Sequence, residues 1–213
     1  KRNSTKFKKG DIVDISVKDY LKLQSVTNQG ILFGYRVPVK FPEKKVEFDP
    51  YIMGYWLGSN SQSPIMEQMA GNKHIPHHYK CNSREFQLEL LAGIIDSCGT
   101  SDYNTYDIVQ KNERFIDDII FIARSLGFSA YKKKEDIYYK TCINGADIGY
   151  IPVKSIEKTQ PAEHIKDTLM TQIKVVKKEV GDYYGFEIDG NRRFILGDFQ
   201  VTHNTVMALN ILA

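Results

Sequence analysis

The chain has 213 residues, of which 42% are apolar and 26% charged, and its formal net charge is +3. That supplies core material for one large domain or two small ones, and the mild positive charge permits contact with nucleic acid without arguing for it. No apolar run approaches a membrane span and no secretory leader opens the sequence, so a cytoplasmic protein with no membrane partner is expected; the three cysteines, Cys81, Cys98 and Cys142, lack CxxC spacing and fit reduced thiols better than disulfides or a zinc site.

Residues 1–9 are basic and polar, a frayed start, and Gly10-Asp11 reads as a turn before the alternating stretch Ile12-Val13-Asp14-Ile15-Ser16-Val17, which predicts a strand. Residues 18–23 suit one helical turn. Residues 31–39 have strand character until Pro38 and Pro42 interrupt it. Asp49-Pro50 then predicts a helix start, with Asp49 as N-cap and Pro50 in the first turn. The helix Tyr51-Ile52-Met53-Gly54-Tyr55-Trp56-Leu57-Gly58 carries glycines four apart on one face, which lets a second backbone come close. A partner follows in Leu88-Glu89-Leu90-Leu91-Ala92-Gly93-Ile94-Ile95-Asp96-Ser97-Cys98-Gly99.

Beyond it the pattern predicts a strand over 104–110, a helix capped by Asn112 and closed by Gly127, and a hairpin over 131–143. Phe115, Ile119, Ile122 and Leu126 recur at helical spacing and read as core. Lys132-Lys133-Lys134 reads first as a solvated hairpin tip and second as a vestigial DNA-contacting edge. His74, His77 and His78 surround Pro76 without a further ligand at metal spacing, so no metal is assigned to them. Residues 151–156 return to strand character, residues 157–172 are a polar stretch with 162–170 of helical composition, and Met170 has the look of the start of a free-standing fragment.

Residues 199–203 alternate large and polar side chains, predicting a half-buried strand with Phe199, Val201 and His203 on one face. It ends in His203-Asn204-Thr205. An asparagine amide can attack its own main-chain carbonyl, closing a succinimide and cutting the chain after Asn204. The leaving amine of Thr205 needs a proton, which the His203 imidazole can donate. The Thr205 hydroxyl is a potential nucleophile for acyl transfer.

The run Tyr183-Tyr184-Gly185-Phe186-Glu187-Ile188-Asp189-Gly190-Asn191-Arg192-Arg193-Phe194-Ile195-Leu196-Gly197, continued by Val201-Thr202-His203-Asn204-Thr205, resembles the C-terminal splicing motif of inteins. The resemblance implies that Asn204 cyclises, that His203 protonates the leaving amine and that Thr205 accepts the N-extein. Many inteins have an assisting histidine where this chain has Arg192, and a guanidinium does not shuttle protons near neutral pH, although it can stabilise an oxyanion. Gly185 stands where many relatives carry an acid. The family's N-terminal Cys or Ser nucleophile and its Thr-x-x-His motif are not found upstream, so an N-terminal intein fragment is the expected partner.

Residues 91–99 resemble the signature nonapeptide of the LAGLIDADG homing endonucleases, and residues 52–60 resemble a divergent first copy. In that family an acid at the eighth position of each copy holds divalent metal for phosphodiester hydrolysis. Here those degenerate positions are Ser59 and Cys98, neither of which replaces a carboxylate, so metal and endonuclease activity are expected to be absent. Asp96 lies two residues earlier, where capping or packing is the expected role. Gly54 and Gly93 are only 39 positions apart, too close for the strands of the first half of the family's DNA-binding saddle.

The resemblances together imply a mainly β fold, the horseshoe of hedgehog and intein domains, incomplete without an N-terminal half and carrying an inserted α+β LAGLIDADG-like remnant. The expected divisions are residues 1–46 for the first splicing segment, 47–152 for the remnant, 153–204 for the C-terminal splicing segment and 205–213 for a short C-extein. The expected activity is single-turnover, cofactor-free protein trans-splicing. The alternatives are an endonuclease or DNA-binding remnant, in which DNA contact is vestigial, and the C-terminal part of a contiguous cis-splicing intein. Thr205-Val206-Met207-Ala208-Leu209 is similar to the start of the helix after a phosphate-binding loop, which implies a P-loop ATPase or helicase host.

Overall fold

The structure, a computed structural model, describes residues 10–27, 32–59, 61–71, 73–159, 168–177, 179–182 and 187–203. The expectations for residues 1–9, for the helix over 162–167, for Tyr183 to Phe186, and for Asn204, Thr205 and the C-extein fall outside them. The chain divides into two compact units. One comprises Tyr35–Thr171 with Gly197–Gln200, and the other Lys1–Gly34, Gln172–Leu196 and Val201–Ala213.

The larger unit is built on two helices, α2 (Pro50–Gly58) and α5 (Arg84–Cys98). Asp49 caps α2 by accepting the Ile52 N–H at 3.0 Å, and Ser83 caps α5 by accepting from Phe86. The glycines let the two backbones touch. A Cβ on Gly54 would stand 2.1 Å from the Leu90 carbonyl oxygen, and one on Gly93 2.1 Å from that of Tyr51. Both helices carry apolar residues around much of their circumference, as buried helices do, and Met53, Leu57, Leu90, Leu91, Ile94 and Ile95 are fully enclosed. Between them lie α3 (Pro64–Ala70) and α4 (His77–Lys80), with no strand among the described residues.

After α5 come β2 (Gly99–Asp102), β3 (Thr105–Gln110), α6 (Glu113–Ser125), β4 (Ser129–Glu135) and β5 (Tyr138–Asn144), forming one antiparallel sheet in the order β2-β3-β5-β4. Register puts Tyr106, Ile143 and Ala130 in one row and Ile108, Thr141 and Lys132 in the next, so one face packs against α6 while the other carries Asp107, Cys142, Tyr131 and Lys140. Asn112 caps α6 by accepting from Phe115, and Gly127 ends it at φ +96°, a conformation that glycine adopts freely. Phe115, Ile119, Ile122 and Leu126 are buried as the spacing predicts. Two buried polar groups, Asn82 and Asp118, tie the segment that precedes α5 to this core. The Asn82 amide bonds Lys44 N and O, His78 O and Ser83 N, and the Asp118 carboxylate takes the Ile75 N–H at 3.0 Å and Lys80 Nζ at 2.6 Å.

In the smaller unit α1 (Val17–Thr27) is longer than the single turn expected, because Ser16 and Asp19 together form a capping arrangement at its start. The strand expected over 12–17 is not formed. Pairing of β7 (Arg193–Ile195) with β8 (Val201–His203) makes a two-stranded antiparallel ladder. β8 is shorter than expected: Phe199 has φ +68° and stands outside it, so it does not continue the alternation of Val201 and His203. Strand character over 31–39 reduces to β1 (Gly34–Tyr35), which pairs with β6 (Met170–Thr171). Residues 151–155 form no strand, since Asp96 takes up the main-chain N–H groups of Lys154 and Ser155. Helix thus outweighs strand among the described residues, and the architecture is mixed α+β. The mainly β horseshoe rests on the resemblance. No helix of the described residues is long and apolar enough to cross a membrane.

Candidate functional site

The C-terminal site is presented by the β7–β8 ladder. Arg193 pairs with His203, Phe194 with Thr202 and Ile195 with Val201. Directly opposed residues of an antiparallel pair point to the same face, so the guanidinium next to His203 in register is that of Arg193. Arg193 is held by Asp14 at 2.6 Å. Arg192, singled out by motif position, lies one residue beyond the described ladder at φ +56°, with its N–H directed to the Asp189 carbonyl. Sequence reasoning did not single out Arg193; register, which the motif alone does not give, is what places it opposite His203. Asn204 and Thr205, the residues that would react, follow His203 in the chain and lie outside the described residues.

A second candidate site lies at the C-terminal feet of α2 and α5, at Ser59 and Cys98, the residues that the resemblance compares with acids. Ser59 Oγ donates to the Trp56 carbonyl at 3.1 Å, and Cys98 Sγ donates to that of Ile94 at 3.3 Å. Burial pushes the Cys98 thiol above its ordinary value, so it stays neutral. Lys73 Nζ bonds the carbonyl of Ser59, and Lys158 Nζ reaches the carbonyls of Ile95 and Asp96, each at 2.9 Å. Each helix therefore meets an ammonium at its negative end. Two thiol or hydroxyl groups and two cations do not suit a divalent metal, which takes several oxygen ligands and prefers carboxylates. Among the described residues no group of three His, Cys, Asp or Glu side chains could hold a metal ion.

Asp96, the nearest carboxylate in sequence, accepts from the Lys154 N–H at 2.6 Å, the Ser155 N–H at 3.3 Å and the Tyr51 hydroxyl at 2.8 Å. It organises the chain entering the short 3-10 turn Ile156–Lys158. Burial, with the Asp96 charge added, pushes the Tyr51 phenol up to about 12. On the hairpin, Lys132 is bound by Asp117 and Glu113, Lys133 by Glu135, and Lys140 by Asp107. These carboxylates reduce the attraction the basic hairpin offers to phosphates. His78 pairs with Glu47 at 3.1 Å and packs edge-on to Tyr79.

Two glycine-packed helices, followed by an antiparallel sheet with a helix on one face, define an α+β domain. Residues 74–150 match the family model for the homing endonuclease, which relates this segment, and not the chain as a whole, to that family. No curated protein matches the chain.

Proposed function

We propose that the chain is the C-terminal catalytic part of an intein and that its reaction is protein splicing, carried out in trans when an N-terminal intein fragment binds and completes the horseshoe. The fragment supplies the first nucleophile and carries the N-extein as an ester or thioester. Thr205 Oγ attacks that acyl carbon, loses its proton and takes over the N-extein, releasing the first nucleophile. Asn204 Nδ2 then attacks the Asn204 carbonyl carbon. The bond to Thr205 N breaks, a proton reaches that nitrogen through His203, and the intein leaves with a terminal succinimide. An O-to-N shift returns the exteins to an ordinary peptide bond. The observation that supports this reading best is the ladder that aligns Arg193 with His203, one residue before the proposed cyclising group.

Mixing the chain with a matching N-terminal fragment tests it. Ligated exteins are the expected product, and Asn204→Ala should stop at the branched ester. A variant that releases Thr205 as fast as the parent would contradict the role given to Asn204.

The endonuclease-related domain favours a second reading, DNA cleavage, because residues 74–150 match that family. We propose that cleavage is absent and DNA contact vestigial, since Ser59 and Cys98 offer no carboxylate and Lys73 and Lys158 place positive charge at both helix ends. Magnesium-dependent cutting of an intein-free host gene would overturn this.

A further inference from the structure

The tetrapeptide Gly197–Gln200 lies in the same compact unit as the endonuclease-related domain, and only Val201, Thr202 and His203 separate it from Asn204. It is gripped at every residue after Gly197. Arg36, which is buried at 5% exposure, directs Nε to the Asp198 carbonyl at 3.0 Å, Nη2 to Asp198 Oδ2 at 3.3 Å and Nη1 to the Tyr131 hydroxyl at 2.9 Å. The other Asp198 oxygen accepts the Gln200 N–H at 3.1 Å.

Tyr131 is itself fixed. The Cζ atoms of Arg36 and Arg124 each lie 5.1 Å from its ring centroid, and Arg124 Nε is anchored on the Ala130 carbonyl at 2.9 Å. Phe199 is buried, with its ring edge-on to Phe121 of α6 at 4.9 Å and its carbonyl accepting the Val37 N–H at 3.1 Å. Gln200 forms an antiparallel bridge with Arg36, and its side-chain amide bonds the Thr171 hydroxyl. Phe199 holds a left-handed φ of +68°, which a bulky residue keeps only where its surroundings over-determine it. A surface loop would not need a buried guanidinium fork, an aromatic socket and an unfavourable backbone angle in three consecutive residues.

We propose that the endonuclease-related unit serves as the mount for the cyclising end of the chain, with Arg36 as the positioning residue. This rests on the splicing reading above. By fixing Asp198, Phe199 and Gln200, the unit limits the freedom of the strand that leads to Asn204, and so favours approach of Asn204 Nδ2 to its own carbonyl carbon over the many unreactive geometries of a loose end. The lack of carboxylates at Ser59 and Cys98 is compatible with such a role, because the mount uses β4, α6 and the segment around Arg36.

The test follows imide formation and the branched ester by mass spectrometry in the full chain mixed with an N-terminal fragment. Arg36→Ala should form the imide about tenfold more slowly than the parent while branched ester accumulates, and Tyr131→Phe should slow it in the same direction by a smaller factor. Lys140→Ala, which alters an ion pair on the same sheet face outside the grip, should react at the parental rate. If the parent forms neither imide nor ligated product, the splicing reading fails. If the parent reacts and Arg36→Ala keeps pace with it, the mount is wrong while splicing stands. Should Arg36→Ala lose its cooperative melt, Tyr131→Phe decides alone, and a parental rate in that variant overturns the proposal.

Discussion

Arg193 stands directly across the β7–β8 ladder from His203, and Asp14 holds its guanidinium at 2.6 Å. A fixed cation on the same face as the imidazole can stabilise negative charge that develops on a carbonyl oxygen at the end of β8. Arg193→Ala is therefore expected to slow imide formation by about tenfold, and Arg192→Ala by less, because Arg192 lies beyond the described register. His203→Ala removes the proton donor and should cost roughly a hundredfold or more. Single-turnover rates from quenched time points check the order, and equal effects at the two arginines would contradict the assignment.

The close crossing of α2 and α5 predicts a stability effect. Gly54→Ala or Gly93→Ala would put a methyl carbon against a main-chain oxygen, so each is expected to destabilise the unit by about 3 kcal/mol. Urea unfolding followed by tryptophan fluorescence reads this directly, since Trp56 is buried on α2. A midpoint unchanged in either variant would show that the helices separate without cost.

Much of this arrangement was legible in sequence because each feature is local. Asp49 with Pro50, and Asn112, mark helix starts by their own hydrogen bonds, and the glycines at 54 and 93 announce a close backbone contact, whereas the cap at Ser83 was not foreseen. β2 was not foreseen, since Gly99-Thr100-Ser101-Asp102 lacks apolar alternation and gains strand geometry from pairing with β3. The strand expected over 12–17 yielded to helix capping at Ser16, and the alternation through Phe199 broke where Arg36, Val37 and Phe121 capture the chain. The preference for Arg192 came from motif position; strand register, a tertiary property, brings Arg193 to His203.

Alkaline pH should weaken the larger unit through two phenols, Tyr51, partly buried, and Tyr106, fully buried. Tyr51 is raised from 10.0 to about 12 by burial and by its bond to Asp96, and Tyr106, which makes no bond to Asp96, rises to about 12 by burial first and the Asp96 charge second. The folded chain keeps these protons while the unfolded chain releases them near pH 10, so unfolding becomes more favourable as pH rises from 10 towards 12. Asp96→Asn removes the charge and should lower the Tyr51 midpoint in an ultraviolet titration. A midpoint that stays in place would mean that Asp96 contributes nothing to it.

The feet of the two helices predict a gain of metal binding from a small set of changes. Ser59→Asp and Cys98→Asp would put carboxylates in place of a hydroxyl and a thiol while Lys73→Ala removes a cation, and the triple variant should bind calcium in a titration where the parent shows no heat. Parental binding as tight as that of the variant would contradict the electrostatic reading of this site.

The most direct measurement of the central claim is the intact mass of the intein species released when the chain is mixed with its N-terminal counterpart. The account predicts a species ending at Asn204 that is one water lighter than the free-asparagine form, as a terminal imide requires, and its absence in Asn204→Ala. Ligation without an imide, or release of Thr205 from the alanine variant, would contradict it.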